Sequence, residues 1–377
     1  MTEDRVRRRS GRALLISGLL LANLNWILCK ADTGGTKVGP IEKFPDYPDR
    51  EVSAVWSRVR KLLPNDRELA RPAAAEDGDA IPSEEDDELV LEGELREQME
   101  DTLRGAIAED PPRNVYGVSL HDVELATALS FKELISPANF EAGAESRDAL
   151  FRWEGWIAQS HPSSRCREGA WKVMGFLEWV WPEDMKDSDL HPKFRLQLAR
   201  NLTKLKQCGP EVQTKKGKYA FEHCTDYTCG LWETFHAMSV SPSNEEEVSG
   251  ANMMSALRGF IDKFFSCSTC REHFLEVLAK EKTKLVETSK DFALWLWESH
   301  NVVNMRLAQE EEERGTGDPA RPKHAFPHPV MCESCFRSVH PMRVSEGGIH
   351  AFLRDHYGFK KSKSEVSGQL ESGKEEL

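Results

Sequence analysis

A chain of 377 residues has room for two domains, and its 63 acidic residues outnumber its 50 lysines and arginines, for a formal net charge of −13. An acidic chain whose basic cluster lies at the extreme N-terminus is a poor binder of nucleic acid, so no nucleic-acid partner is expected. Nine cysteines instead indicate disulfide or metal chemistry.

Residues 1–31 have the composition of a targeting segment. Arginines precede an apolar run from Ala13 to Cys29, which is the order found in a signal peptide, and we expect cleavage near residue 31. The run is short for a membrane span, so membrane attachment is expected only if this segment is an uncleaved single-pass anchor. Removal of Cys29 leaves eight cysteines, an even number that suits disulfides. We therefore expect the secretory pathway (endoplasmic reticulum or Golgi) or secretion.

The segment 32–112 is acidic, poor in aromatic residues and interrupted by proline and glycine. Such a segment buries too little apolar surface to offset the entropy of ordering it, so the composition predicts a largely disordered linker. A lysine-, serine- and glutamate-rich stretch at 360–377 predicts a disordered tail for the same reason.

Apolar residues recur at helical spacing through most of the chain between residues 113 and 359. The pattern predicts one helical domain at 113–205, whose short connections favour an antiparallel bundle, and a second at 206–359. No stretch is rich in strand signals, so the predicted fold class is all-α.

The second helical domain contains a Cys-x-x-Cys pair, Cys267 and Cys270, just before an amphipathic stretch. Backbone N–H groups at a helix N-terminus favour a thiolate, and the spacing predicts one exposed attacking sulfur and one protected sulfur. His273 follows three residues later, on the same helical face as Cys270. We interpret this pair as the catalytic centre.

A mixed aromatic and polar stripe lies on another predicted helix. Its members fall at positions i, i+3, i+4 and i+7, and they are Trp297, His300, Asn301 and Asn304. Trp232 and His236 repeat the pairing at i and i+4. A large flat ligand with polar edges would satisfy these groups, and an isoalloxazine ring beside a dithiol is the chemistry that they suggest. The alternative is a helix of mixed burial with no ligand.

Two other classes stay open. Cys267–Cys270 together with Cys332–Cys335 could form a zinc site, but the 61 intervening residues exceed the roughly 15–20 of zinc ribbons. The chain could also be a non-catalytic, disulfide-stapled helical module that binds partners through its acidic linker.

Three motifs resemble the Erv/ALR flavoprotein sulfhydryl oxidases. They are Cys229-Gly-Leu-Trp232-x-x-x-His236, Cys267-x-x-Cys270-x-x-His273, and Trp297-x-x-His300-Asn301-x-x-Asn304. Cys332-x-x-Cys335 and the preceding helical region are similar to the quiescin sulfhydryl oxidase family, in which 113–205 would be a degenerate, flavin-free Erv-like domain.

The resemblance implies an FAD-dependent oxidase that makes disulfides in dithiol protein substrates and reduces O2 to H2O2. Cys270 would be the flavin-proximal sulfur and Cys267 the sulfur that meets the substrate. The implied FAD contacts are Trp232, His236, Thr269, His273, Trp297, His300, Asn301, Asn304, Lys323 and Phe326. No resident metal is implied.

The sequence departs from the family in three respects. No Cys-x-x-Cys precedes Cys267, so we expect either a separate thioredoxin-like electron donor or direct reaction with substrates. Thr225 stands where the family has a basic residue, and Phe326 stands where it has tryptophan.

The remaining cysteines have roles implied by the resemblance or left open. Cys208 and Cys229 resemble the family's structural disulfide. Cys224 is additional, and a bridge between Cys166 and Cys224 stays open. Cys332–Cys335 is either a relay pair or a structural bridge.

Overall fold

The computed structural model describes residues 88–89, 91, 93–106, 117–209, 220–242, 244, 248–280, 283, 285–317, 323–339 and 342–359. The predicted targeting segment, most of the predicted linker and the predicted tail therefore lie outside the described residues. Within these ranges, no helix has the length and apolar character needed to cross a membrane.

The described chain is mostly helical, which confirms the all-α prediction. Its helices are α1 (Gly93–Ala106), α2 (Leu120–Leu134), α3 (Ala144–Ser160), α4 (Ser164–Val180), α5 (Pro192–Leu202), α6 (Tyr227–Ser239), α7 (Gly250–Phe264), α8 (Ser268–Leu278), α9 (Ser289–Arg314) and α10 (Glu346–Tyr357). One small antiparallel sheet was not predicted. Its strands are β1 (Glu88–Leu89), β2 (Phe336–Val339) and β3 (Met342–Ser345), in the order β1-β3-β2.

Polar side chains fix where the site-bearing helices begin. The Asp226 carboxylate accepts the backbone N–H of Cys229 at the start of α6. Thr288 and Asp291 form a reciprocal capping box at the start of α9, and Gly315 ends that helix in the left-handed conformation. Each cap satisfies backbone groups that a helix end leaves unpaired, so α6 and α9 present their side chains in a defined register.

One hydrophobic core joins the two predicted helical domains. The Trp153 ring of α3 stacks on the Phe260 ring of α7, with ring centroids 4.2 Å apart, and meets the edge of the Phe235 ring of α6. All three side chains are buried. Burial of aromatic rings of this size contributes much of a domain's stability, so the two regions support each other within one compact unit.

The disulfide pairing differs from the prediction. Cys166 pairs with Cys208, and Cys224 pairs with Cys229, so both the Cys208–Cys229 pairing and the Cys166–Cys224 alternative are wrong. The chain after α5 returns against α4 so closely that a Cβ added to Gly169 would lie 1.6 Å from the Gln207 carbonyl oxygen. This approach places Cys208 beside Cys166.

The linker prediction is wrong for residues 93–106, which form α1. Leu95, Met99 and Leu103 are spaced four residues apart and form an apolar stripe, and all three are buried. The helix packs against α9, and the Glu100 carboxylate accepts the backbone N–H of Met342. Acidic residues on the outer face of α1 dominate its composition, so composition alone does not reveal the apolar stripe.

We expect Leu103→Ala to lower the free energy of unfolding by about 2–5 kcal/mol, because it leaves a cavity between α1 and α9. The control Glu97→Ala changes an exposed position of the same helix and should stay within about 0.5 kcal/mol. Urea unfolding measures both variants. Equal, small effects would show that α1 does not pack against α9.

Non-reducing peptide mapping by mass spectrometry tests the disulfide pairing. We expect a peptide pair linked through Cys166 and Cys208 and a separate bridge between Cys224 and Cys229. A linked pair containing Cys208 and Cys229 would contradict the described structure.

Candidate redox site

The Cys267–Cys270 disulfide forms the N-terminus of α8. Cys267 is the residue that caps the helix, and its Sγ accepts the backbone N–H of Cys270 at 3.3 Å. The partial positive charge at a helix N-terminus stabilises a thiolate there. When the disulfide is reduced, the helix therefore favours the ionised form of the Cys267 sulfur.

The two cysteines of this disulfide face different surroundings. Cys270 lines a cavity of about 550 Å³, whereas Cys267 lies on the outer surface beside Ser266. The expected asymmetry is therefore present, but the expectation that Cys270 is protected is wrong, because both cysteines are exposed. The opening of the cavity gives Cys270 its exposure.

The cavity brings together residues from five helices, α6 to α10, and from several connecting segments. Six of the ten predicted cofactor contacts line it: Trp232 of α6, His273 of α8, His300 and Asn304 of α9, and Lys323 and Phe326 of the segment after α9. A cavity of this size, with aromatic walls and a few polar groups, is typical of small-molecule sites.

Two rings form one wall of the cavity. The Trp232 indole and the His300 imidazole are parallel within 1°, with centroids 4.1 Å apart. His300 Nδ1 lies 3.1 Å from Nε2 of His236, whose ring in turn stacks on Tyr357. Because Trp232 and His300 are in direct contact, no ligand ring lies between them, and the stack presents its edge and outer surface to the cavity.

Trp297 and Asn301 are not in the cavity wall, which corrects the expectation that four residues of α9 share one ligand-binding face. The Asn301 Nδ2 donates to the Phe326 carbonyl oxygen at 2.9 Å, and the Asn301 Oδ1 accepts the Phe326 N–H at 2.8 Å. The Trp297 Nε1 donates to the same carbonyl. At 3.6 residues per turn, Trp297 and Asn301 lie on a face adjacent to that of His300. They hold the backbone of Phe326 in place.

Two further predicted contacts lie beside the cavity rather than in its wall. His236 is buried behind His300, and Thr269 is exposed in the first turn of α8. The family-implied contacts of His236, Thr269, Trp297 and Asn301 with a flavin stay predictions.

Burial keeps three imidazoles of the site, those of His236, His300 and His356, neutral at neutral pH. Burial lowers the pKa of His300 to about 3, with a smaller effect of the nearby Lys323 charge, and burial lowers the pKa of His356 to about 4. The pKa of His236 lies well below its usual value because of burial and the neighbouring His300 and His356. Lys323 and Arg306 supply positive charge to the cavity lining.

Sequence reasoning missed several residues that line the cavity. Glu233, Arg306, His356 and Tyr357 are among them. Arg306 lies two residues after Asn304, the last residue of the quoted α9 motif. The adjacent His356 and Tyr357 end α10, and an imidazole–phenol pair at a helix end is a signal that the sequence offers.

The residues present fit a flat aromatic group that carries an anionic arm. The indole–imidazole stack offers an aromatic surface, and Lys323 and Arg306 offer charge for anionic oxygens. His236 Nδ1 is buried and has no hydrogen-bond partner among the described residues, so a polar group is still needed beside it. A flavin has these properties.

Comparisons with known proteins find relatives of the region that contains this site. Residues 229–327 match the model of the Erv1/Alr family. Sulfhydryl oxidase 1 of Oryza sativa subsp. japonica is 31% identical over 277 residues, which cover 70% of this chain and 51% of the relative. Sulfhydryl oxidase 1 of Arabidopsis thaliana is 29% identical over 249 residues, which cover 64% of this chain and 45% of the relative. The chain thus spans about half the length of these curated relatives.

Among solved structures, the sulfhydryl oxidase fragment of human QSOX1 matches with a TM-score of 0.48 and 22% identity, covering 65% of this chain and 96% of that chain. A helical fold with a disulfide beside an aromatic cavity is typical of a thiol–disulfide redox protein. Residues 229–327 match the Erv1/Alr family, and the chain is similar to sulfhydryl oxidases over a longer region.

We expect Asn301→Ala to lower the free energy of unfolding by about 1–3 kcal/mol, because the backbone N–H of Phe326 would lose the Asn301 acceptor and its carbonyl would lose the Asn301 donor, although it keeps Trp297. The matched control is Asn304→Ala on the same helix, whose side chain lines the cavity and is half-buried. Its effect on the flavin-free protein should stay within about 0.5 kcal/mol. Equal losses in urea unfolding would contradict the separation of the two faces.

Proposed function

We propose that this protein is an FAD-dependent thiol oxidase, which converts dithiols in substrate proteins to disulfides and passes the electrons to O2, giving H2O2. The observation that carries the proposal is the position of Cys270, which belongs to an exposed disulfide and also lines the aromatic cavity. A sulfur in this position can exchange with a substrate dithiol and also meet a bound electron acceptor.

The substrate reacts first with Cys267, the outward-facing sulfur. A substrate thiolate attacks Cys267 Sγ, the bond to Cys270 breaks, and the electron pair leaves on Cys270 Sγ. The second substrate thiol then attacks the mixed disulfide, which releases the substrate as a disulfide and leaves both cysteines reduced. The N-terminus of α8 stabilises the Cys267 thiolate that is set free.

When bound, FAD would accept two electrons from the reduced Cys267–Cys270 pair and pass them to O2. The protein's part is to hold it. Trp232 and His300 would contact its ring, and Lys323 and Arg306 would pair with its phosphates. His300 is neutral, so it can both donate and accept a hydrogen bond without placing a charge beside the ring.

The proposed substrates are protein dithiols, and the proposed setting is oxidative folding in the secretory pathway, with a separate thioredoxin-like protein as a candidate donor. The targeting-like residues 1–31 support this location. So do the four disulfides among the described residues, since disulfides persist in oxidising compartments. A single-pass anchor is the alternative to a cleaved leader.

Cys332–Cys335 is better explained as a structural bridge than as a relay. Both cysteines are buried, in the core cluster that includes Leu95, Met99 and Leu103 of α1. A relay pair must be reached by another sulfur, and neither cysteine lines the cavity described here.

Two other functions are separable from this one. A non-catalytic stapled module is favoured only by the number of disulfides, and it would carry no flavin. A zinc module requires free thiolates, whereas all eight cysteines in the described ranges are paired.

The purified protein is expected to be yellow and to consume oxygen when dithiothreitol is supplied. Cys270→Ser should lower turnover by at least about 10³-fold while flavin is retained, because the sulfur that passes the electrons is gone. Oxygen consumption and the visible absorption spectrum measure the two properties separately.

The matched control is Glu272→Gln, which removes an exposed carboxylate from the same helix, α8. Its turnover should stay within about threefold of the wild type. A colourless protein, or full turnover of Cys270→Ser, would overturn the proposed function.

A further inference from the structure

Three of the described disulfides lie outside α8. Of these three, Cys224–Cys229 is the most accessible to solvent. The cysteines of Cys166–Cys208 and Cys332–Cys335 are all at most 5% exposed. Cys229 is half-buried and lines the same cavity as Cys270. Its neighbour Thr228 is exposed and also lines that cavity, so Cys229 lies where the cavity opens to solvent.

A carboxyl group accompanies this disulfide. Glu233 follows Cys229 by four residues on α6, and one of its carboxyl oxygens lies within 4.8 Å of the sulfurs of both Cys224 and Cys229. Glu233 also lines the cavity, and its Oε2 is buried without a hydrogen-bond partner among the described residues. A buried, unpartnered carboxyl oxygen normally needs a functional or structural explanation.

The surroundings of Glu233 keep its carboxyl protonated at neutral pH. Burial raises the pKa of Glu233 to about 8, and the charge of Asp122 on α2 adds to the shift, while the backbone N–H of Ser119 opposes it. Tyr357 faces Glu233 from α10, and burial and Glu233 raise the pKa of this phenol, so it stays neutral. Asp122 also accepts the backbone N–H of Cys224, which fixes the disulfide loop beside α6.

We propose that Cys224–Cys229 is a second thiol–disulfide exchange site for dithiols presented at the cavity opening, with Glu233 as its proton donor and acceptor. Thiols and disulfides exchange most readily when the sulfur is accessible and the leaving thiolate is stabilised. Cys229 supplies the accessible sulfur, and Glu233 supplies a proton to the leaving one.

The exchange balances as follows. A dithiol loses one proton to solvent, and its thiolate attacks Cys229 Sγ. The Cys224–Cys229 bond breaks, and the Cys224 sulfur leaves with the electron pair. This sulfur then takes the proton of Glu233. The second thiol gives its proton to the Glu233 carboxylate and attacks the mixed disulfide. This step releases the oxidised dithiol and the Cys229 thiolate, which takes a proton from water. Cys224 and Cys229 have then gained two electrons and two protons.

The Cys267–Cys270 disulfide is the oxidant that returns the second pair to its disulfide form, by the same exchange in reverse. This return step rests on the proposed function, which supplies the electron acceptor for Cys267–Cys270. The forward reduction of Cys224–Cys229 does not depend on it.

The test follows each cysteine separately in the full-length protein. A limiting amount of dithiothreitol is added in air, samples are quenched with N-ethylmaleimide over time, and peptide mass spectrometry assigns the labelled cysteines. We expect Cys224 and Cys229 to become labelled early and to lose label as the dithiothreitol is consumed. Cys166 and Cys208 serve as the internal control and should stay unlabelled.

The outcomes separate the two proposals. Labelling of Cys267 and Cys270 alone, with Cys224 and Cys229 as silent as Cys166 and Cys208, overturns the second site and leaves the proposed function standing. Early labelling of Cys224 and Cys229 without oxygen consumption supports the second site and overturns the proposed oxidase.

The role of Glu233 is tested with Glu233→Gln, which keeps the shape of the side chain but cannot transfer a proton. The measured quantity is the rate of Cys229 reduction divided by the concentration of the dithiothreitol thiolate. In the wild type this normalised rate should be high below pH 8 and fall above it, because Glu233 loses its proton. In Glu233→Gln the rate at pH 7 should be lower by at least about 10-fold, and the break near pH 8 should vanish. Glu276→Gln removes an exposed carboxylate of α8 and should leave both properties unchanged. If Glu233→Gln retains the rate and the break, Glu233 is not the proton donor.

Discussion

The hydrogen bond from the Cys270 backbone N–H to the Cys267 sulfur, at the first turn of α8, is the interaction on which the site depends. It makes one cysteine the cap of the helix and places the next one on the helix itself. The helix dipole then favours a thiolate at the outer sulfur, while the turn of the helix directs Cys270 to the cavity. Under the proposed function, substrate exchange and electron transfer would take place on opposite sides of one disulfide.

The first helical region supports this arrangement although it contributes little to the cavity wall. Glu133 at the end of α2 accepts hydrogen bonds from the hydroxyls of Tyr227 and Ser266, which join the start of α6 to the residue before the disulfide. The stack of Trp153 on Phe260 holds α7, whose end leads directly into that residue. Loss of packing in the first region would therefore displace the disulfide.

Local signals were enough to predict the Cys267–Cys270 disulfide and part of the cavity beside it. The spacing of Cys267 and Cys270 and the helical stripe containing His300 and Asn304 are short-range patterns, and the structure brings Cys270, His300 and Asn304 to one cavity. The assignment of Asn301 to the same face failed because its partner is the backbone of Phe326, 25 residues away, and no helical period encodes that contact.

Features set by tertiary contacts could not be predicted in the same way. The partner of Cys208 depends on how the chain after α5 crosses Gly169, since sequence spacing alone allows several pairings. Composition does not predict helix α1, because it averages the solvated acidic face together with the apolar stripe. The stripe becomes important only because α9 offers a surface against which it packs.

A crystal structure of the protein with its flavin bound is the most direct test of the account. We predict that the flavin ring lies in the cavity, against the Trp232–His300 stack, with an atom in van der Waals contact with Cys270 Sγ at about 3.5–4.0 Å. A flavin bound elsewhere, or one that fills the cavity with its ring remote from Cys270, would contradict it.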